Sequence, residues 1–258
     1  MPSHSFLCSA WAALSVPTFF ILLSTQAPYG KHHRSGWGPN IDGRLAWFVQ
    51  ELISPVVYVL CFIRNGSTQF SPPALIFCAL WICHYFNRTV VYCWQRPYMA
   101  ESTVLVMTLA ILFNVVNGYL CGTEAGSMAP HLQAEWSAWR SPFYRIPLRI
   151  LVGLLLFICG AVINIHSDLI LKNLRKSPED RSYYIPTGGL FSVTSSPNYF
   201  GEWMEWTGYA IGTWTLSGWC FCLWTFANLA PRAVANHEWY TRKFENYPKR
   251  AAFLPFLW

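Results

Sequence analysis

The chain predicts an all-α membrane protein: one domain over residues 1–258, a bundle of seven transmembrane helices with a short interfacial tail on the cytosolic side. Three observations carry that prediction. Of 258 residues, 53% are hydrophobic and 12% charged, whereas a soluble domain is nearer a quarter charged. Aromatic residues reach 17%, with 14 Trp, which suits lipid-facing and interfacial surfaces. The apolar residues fall in runs long enough to cross a bilayer, roughly 20 residues each, leaving no room for a separate soluble domain.

The first span is expected at 5–27; it has no basic n-region and runs on to Ala27, so it is not read as a cleavable signal peptide. The second, 45–63, lies between Arg44 and Arg64 and holds Glu51. The third, 72–93, holds Tyr85 and Arg88 and is followed by Arg96. The fourth is 102–121, with Arg140, Arg145 and Arg149 gathered around the turn into the fifth, 147–171. Lys172, Arg175, Lys176 and Arg181 follow the fifth. The last two, 199–214 and 216–231, are short and joined near 214–218. The tail mixes polar and aromatic residues and suggests an interfacial helix near 233–246, then Tyr247-Pro-Lys-Arg250 and an apolar end. No internal repeat or low-complexity tract appears.

Lys and Arg set the orientation. Fourteen of them fall on the side that holds the tail and four on the other. The N-terminus is therefore expected away from the cytosol and the C-terminus in it, which an odd number of spans satisfies. The membrane would be a bacterial inner membrane or the endoplasmic reticulum, according to source. Net charge is +6, but the basic residues are dispersed at helix ends, so topology explains them better than nucleic acid does. The Asn65-Gly-Ser67 sequon is of a kind that arises often by chance and carries no weight. The nine cysteines read as small buried hydrophobes. No His/Cys cluster stands at ligand spacing, so no metal is expected. No obligate protein partner is indicated.

Polar groups are costly in hydrocarbon and usually face a protein interior. Here they form stripes. Tyr85, Arg88 and Tyr92 share one face of the third span, Asn164, Asp168 and Arg175 one face of the fifth, and Asn198, Glu202, Glu205 and Tyr209 one face of the sixth. One reading is that they pair as structural glue between helices. The other is a shared polar cavity, since glue needs only two or three groups. Arg88, Arg96, Arg175, Arg181 and Arg232 lie near the cytosolic mouths, where arginine suits bidentate phosphate recognition or simply marks the cytosolic side. No G-x-G-x-x-G or G-x-x-x-x-G-K-[ST] is present, so a nucleotide would need a different kind of site. The Gly188-Gly189 pair is a weak turn signal. Gly208-x-x-x-Gly212 reads as helix packing, and His166, off its helix's polar stripe, as structural.

Several blocks now point to a family. They include Tyr29-Gly-Lys-His32, Ala46-Trp-Phe-Val-Gln-Glu51, His84-Tyr-Phe-Asn-Arg-Thr-Val-Val-Tyr92, Arg96-Pro-Tyr98 and Ile163-Asn-Ile-His-Ser-Asp168. Tyr184-Ile-Pro-Thr-Gly-Gly-Leu-Phe191, Asn198-Tyr-Phe-Gly-Glu202, Pro231-Arg-Ala233 and Phe244-Glu-Asn-Tyr-Pro-Lys249 follow in order. In these the chain resembles the steroid 5α-reductases, from about residue 29 to the end. The resemblance implies a seven-helix bundle, the cofactor NADPH, and reduction of the Δ4 bond of 3-oxo-steroids. It implies that Gln50, Glu51 and Tyr85 grip the C3 ketone. It places cofactor residues at Tyr92, Arg96, Asn164, Asp168, Arg175, Tyr183, Asn198, Glu202, Arg232 and Tyr240. The chain departs from the family at Asn236, where a histidine is common, and at Tyr184, where an arginine is common in animal members.

The chemistry suits those residues. Reducing an enone builds negative charge on the ketone oxygen, which fixed donors in a dry site stabilise. Tyr85 is such a donor. Glu51 is one only as the neutral acid, a form that low dielectric favours; ketosteroid isomerase uses a protonated carboxylic acid in this way. The alternatives are a reductase of another enone or enoyl lipid, a membrane methyltransferase using S-adenosylmethionine, and a transporter or lipid carrier.

Overall fold

The computed structural model describes residues 2–25, 28, 30–32, 34, 36–66, 71–138, 147–175, 177, 179–180 and 182–258. Gln26, Ala27, Tyr29, Ser67, Arg140, Arg145, Lys176 and Arg181 lie outside them, as does the side chain of Lys31. The chain is a helical bundle. Its helices are α1 (His4–Ser24), α2 (Gly43–Asn65), α3 (Pro72–Phe86), α4 (Tyr92–Gln95), α5 (Val104–Ser127), α6 (Ala129–Ala138), α7 (Leu148–Asn173), α8 (Pro197–Thr213) and α9 (Leu216–Lys243). A π-helical turn, Asn87–Val91, fuses α3 and α4. Two short strands, β1 (Asn40–Ile41) and β2 (Ser102–Thr103), pair antiparallel.

Side-chain caps start several helices. Ser3, Asp42, Ser71, Thr103 and Thr215 each accept a backbone N–H three residues on, satisfying donors that a helix N-terminus otherwise leaves open. Among the described residues, five helices are long and apolar enough to cross a membrane: α1, α2, the fused Pro72–Gln95 helix, α5 and α7. By that measure the seven spans expected from the sequence are five. α8 has 17 residues, and α9 carries Arg232, Glu238, Arg242 and Lys243.

Three features depart from the sequence reading. α9 does not stop at 231; it continues through Pro231 to Lys243 and absorbs the separate interfacial helix expected near 233–246. Proline removes one backbone bond, but a packed helix tolerates that when neighbours hold it, and Pro231, Ala230 and Ala233 are all buried. α6 follows α5 where no helix was expected. The π turn inserts into a helix read as regular.

Glycine seams set the packing. α7 lies on α8 and α2 on α5. A Cβ at Gly160 would stand 2.5 Å from the Gly201 carbonyl oxygen, and one at Gly208 2.6 Å from the Gly153 oxygen. A Cβ at Gly118 would stand 2.9 Å from the Ser54 oxygen. Backbone therefore meets backbone along both seams, as in small-residue membrane helix pairs. The core is aromatic. Trp81 is fully buried and stacks on Tyr58 at 4.5 Å, with Tyr85, Trp206, Tyr209 and Phe221 around it. The Tyr58 and Tyr209 hydroxyls meet at 2.9 Å, giving each buried phenol its polar partner.

Candidate functional site

The polar stripes of α3, α7 and α8 meet inside the bundle. The π turn begins the arrangement. The Tyr92 N–H bonds back to the Asn87 oxygen, five residues earlier, so carbonyls that an α-helix would use inside the turn are redirected. The Thr89 hydroxyl takes the Tyr85 carbonyl at 2.5 Å. The Trp47 indole N–H takes that of Arg88 at 3.2 Å. Such turns often mark functional places in helices.

Arg88 is buried and donates from Nη1 to Asp168 Oδ2 at 3.2 Å; its Nη2 stands 3.9 Å from Glu202 Oε2. Its guanidinium lies over the rings of Trp47 and Tyr92, 4.8 and 4.6 Å from their centroids. Arg96 donates to the other Asp168 oxygen at 3.4 Å and covers Tyr92 at 4.1 Å. The Asn198 amide donates to that same oxygen at 3.2 Å. Asn164 donates to the Asn198 carbonyl at 2.9 Å and to Glu202 at 3.5 Å. Arg88, Tyr92, Arg96, Asn164, Asp168, Asn198 and Glu202, each expected at the site or on a stripe, thus form one network. Buried charges need such partners to persist.

Gln50, Glu51 and Tyr85 lie beside this network. The Gln50 amide reaches Glu51 Oε1 at 3.5 Å. Tyr85 donates to Asn114 Oδ1 at 3.4 Å, and Asn114 donates to the Gln50 carbonyl at 2.7 Å. Asn114 on α5 therefore ties the two helices that carry Glu51 and Tyr85. Arg88, Glu202 and His84 lie within electrostatic range of Glu51. The α8 stripe divides. Glu205 pairs with His84 Nδ1 at 2.7 Å, both buried, and Tyr209 turns to Tyr58.

The other predicted residues form an outer rim. Arg175 donates from Nε to the Ser182 carbonyl and lies 5.5 Å over Tyr98 and 5.2 Å over Tyr183. Tyr183 meets Trp239 edge-on at 4.8 Å. Tyr240 stacks on Tyr247 at 5.3 Å, and Arg232 donates to the Tyr199 hydroxyl at 3.0 Å. Asn236 meets His32 Nε2 through its Oδ1 at 3.2 Å and donates to Ser196 at 3.4 Å. Tyr184 donates to Asp180 at 3.1 Å. Gly188 and Gly189 turn with φ of 89° and 50°. A Cβ at Gly189 would stand 2.7 Å from the His166 ring, so that histidine packs against the turn.

A tail layer that the sequence did not reveal closes the rim. His237 Nδ1 and the Tyr247 hydroxyl both meet Ser195 Oγ, at 2.7 and 2.9 Å. Arg250 donates to the carbonyls of Pro186 and Phe191 and covers Tyr247 at 4.4 Å. These groups lie beyond the predicted span. Burial, then the Arg250 charge, holds the His237 imidazole below its ordinary range; burial pushes the Tyr247 phenol up. Asn114 and His84 were missed as well. Asn114 shares a buried face of α5 with Asn117, three residues on, and His84 stands one turn before Arg88, so helical spacing is the signal that could have found both.

A family model described as 3-oxo-5-alpha-steroid 4-dehydrogenase matches residues 100–258. The steroid 5-alpha-reductase DET2 of Gossypium hirsutum is 41% identical over 256 residues, 95% of this chain and 93% of that protein. Its namesake from Arabidopsis thaliana is 39% identical over 94% of this chain and 92% of its own. The 3-oxo-5-alpha-steroid 4-dehydrogenase 1 of Homo sapiens is 39% identical, over 90% of this chain and 87% of that protein. With a family model covering more than half its length and such relatives along nearly all of it, the chain belongs to the 3-oxo-5-alpha-steroid 4-dehydrogenase family, the steroid 5α-reductases.

Proposed function

We propose that this chain reduces the Δ4 double bond of a 3-oxo-Δ4-steroid to the 5α-dihydro product, with NADPH as reductant. When bound, NADPH would supply the hydride for C5, and Tyr85 or water would supply the proton for C4. The site's donors fit such a cofactor. Arg88, Arg96, Arg175 and Arg232 offer cations near one mouth of the bundle, among the rings of Tyr92, Tyr98, Tyr183 and Tyr199. Arginine forks suit phosphates, and aromatic faces suit flat rings.

The observation that carries the reading is the hold on Glu51 and Tyr85. Asn114 joins their helices through Tyr85 and the Gln50 carbonyl. Tyr85, its hydroxyl proton turned from Asn114 Oδ1, and a neutral Glu51 then donate to the C3 oxygen as charge grows there. Gln50 orients Glu51. Asp168, Glu202, Asn164 and Asn198 fix the arginines, and Tyr240 and Tyr183 are the residues that would border a bound cofactor on its outer side. α8 and the first half of α9 complete a seven-span bundle, with the C-terminus in the cytosol.

Steroid turnover tests this. The protein is purified in detergent and given NADPH with testosterone or progesterone, and the 5α-dihydro product is sought by chromatography and mass spectrometry. Product with NADPH, and far less with NADH, is expected. NADPH binding without product would move the substrate to another enone or enoyl lipid. Loss of both would overturn the reductase reading.

A further inference from the structure

A second cluster of reactive side chains lies at the opposite end of the bundle. The network above sits where α7 ends and α8 begins. At the other end, the start of α1 meets the end of α5 and the start of α9. There His4, Cys8 and Glu124 bring an imidazole nitrogen, a thiol sulfur and a carboxylate oxygen within 4.8 Å of one another.

The geometry is that of a cation site already half assembled. His4 Nε2 meets the Leu120 carbonyl at 3.1 Å, which assigns the ring proton to Nε2 and leaves Nδ1 as a lone pair. That is how metal-binding histidines are usually oriented, with the far N–H donated to a carbonyl. Nδ1 faces Cys8 Sγ at 3.7 Å. Two such ligands on one tetrahedral zinc, with bonds of roughly 2.0–2.3 Å, stand about 3.5 Å apart. Cys8 is fully buried, while His4 and Glu124 are partly buried.

A bland account exists for part of this. Glu124 caps α9, accepting from the Leu216 and Ser217 N–H groups at 3.1 and 2.7 Å. Each carboxylate oxygen has a second lone pair, so the cap and a metal bond are compatible. The cap account leaves one observation over. The Ser217 hydroxyl, on a residue 1% exposed, has no hydrogen-bond partner among the described residues, although its own N–H binds Glu124. An unpaired buried hydroxyl costs free energy, and a ligand-bound water would satisfy it.

We propose that His4, Cys8 and Glu124 bind one divalent transition metal of the zinc class, with water as the fourth ligand. The mixed nitrogen, sulfur and oxygen set suits Zn2+ better than Mg2+ or Ca2+, which prefer all-oxygen shells. Binding releases the Cys8 thiol proton to solvent and forms the metal–sulfur bond, with no redox change. The ion would fasten α1, which otherwise packs mainly on α9, to α5. The sequence hid this: His4 and Cys8 are one helical turn apart, but Glu124 is far along the chain.

The test uses the full chain in detergent, stripped with a chelator and then loaded with Zn2+ or Co2+. One Zn2+ per chain should survive desalting, and its addition should raise the unfolding temperature. Co2+ should give a thiolate-to-cobalt charge-transfer absorption. Cys8→Ser and His4→Gln should each lower zinc retention at least tenfold, and Cys8→Ser should remove the cobalt band. No retained zinc and no cobalt band in the unaltered chain would overturn the proposal, as would retention that both variants leave unchanged. Steroid turnover is read separately, so this result does not depend on it.

Discussion

Asp168 is held by two arginines and an asparagine at once: Arg88 at 3.2 Å on one oxygen, Arg96 at 3.4 Å and Asn198 at 3.2 Å on the other. One carboxylate on α7 thereby fixes side chains from the π turn after α3, the segment after α4, and α8.

Removing that carboxylate should be severe. Asp168→Ala leaves Arg88 buried without its closest acceptor, a change that typically costs about 3–5 kcal/mol. Thermal unfolding in detergent should show a large drop, and NADPH affinity should fall with it. Asp168→Asn should be milder, since it keeps an acceptor oxygen for Arg88.

The donors proposed for the C3 ketone should behave differently. Tyr85→Phe and Glu51→Ala should each lower kcat by roughly 10²–10³, as loss of one oxyanion donor does elsewhere. NADPH affinity, read by fluorescence titration, should stay near that of the unaltered chain. Full turnover by Glu51→Ala would remove that residue from the mechanism.

The seam between α7 and α8 should reject even a methyl group. Gly160→Ala would put a Cβ 2.5 Å from the Glu205 nitrogen, and overpacking of this kind costs about 1–3 kcal/mol. Cys159→Ala, at the exposed neighbouring position, should change stability by less than about 0.5 kcal/mol. Paired unfolding curves compare them.

The tail should respond to acid. His237 titrates below the ordinary histidine value of 6.5 because burial and Arg250 disfavour its cation. The unfolded chain therefore binds the proton first. The stability contributed by neutral His237 is full above pH 6.5 and declines as pH falls below it, at no more than about 1.4 kcal/mol per unit. Melting curves against pH should flatten in His237→Gln. Glu238 and Tyr247, the other titratable neighbours, remain in that variant.

Much of the inner network was legible because burying polar groups forces partners on them. Arg88, Asp168, Asn198 and Glu202 recur at helical spacing in apolar runs, so a shared interior followed. The same logic could not see depth. Glu205 and Tyr209 continue the α8 stripe, yet they turn to His84 and Tyr58, because a stripe along a helix crosses more than one neighbour. Asn114 and Asn117 form a neutral pair at helical spacing, a weaker signal than the charged stripes of the other helices. The polar and aromatic mix after 231 misled for a local reason: it reads as a separate interfacial segment, but buried neighbours carry α9 through Pro231 to Lys243.

The π turn at Asn87–Val91 acts as a phase adjuster between two halves of one helix. Tyr85 lies before it, and Tyr92 and Arg96 after it. Each residue added to or taken from a helix rotates everything beyond by about 100°. The turn's wider i→i−5 bonding accommodates one extra residue, so Tyr92 and Arg96 are offset from the faces a regular helix continued from Tyr85 would give them. The side of the helix that meets Asn114 and the side that meets Asp168 are thus aimed separately.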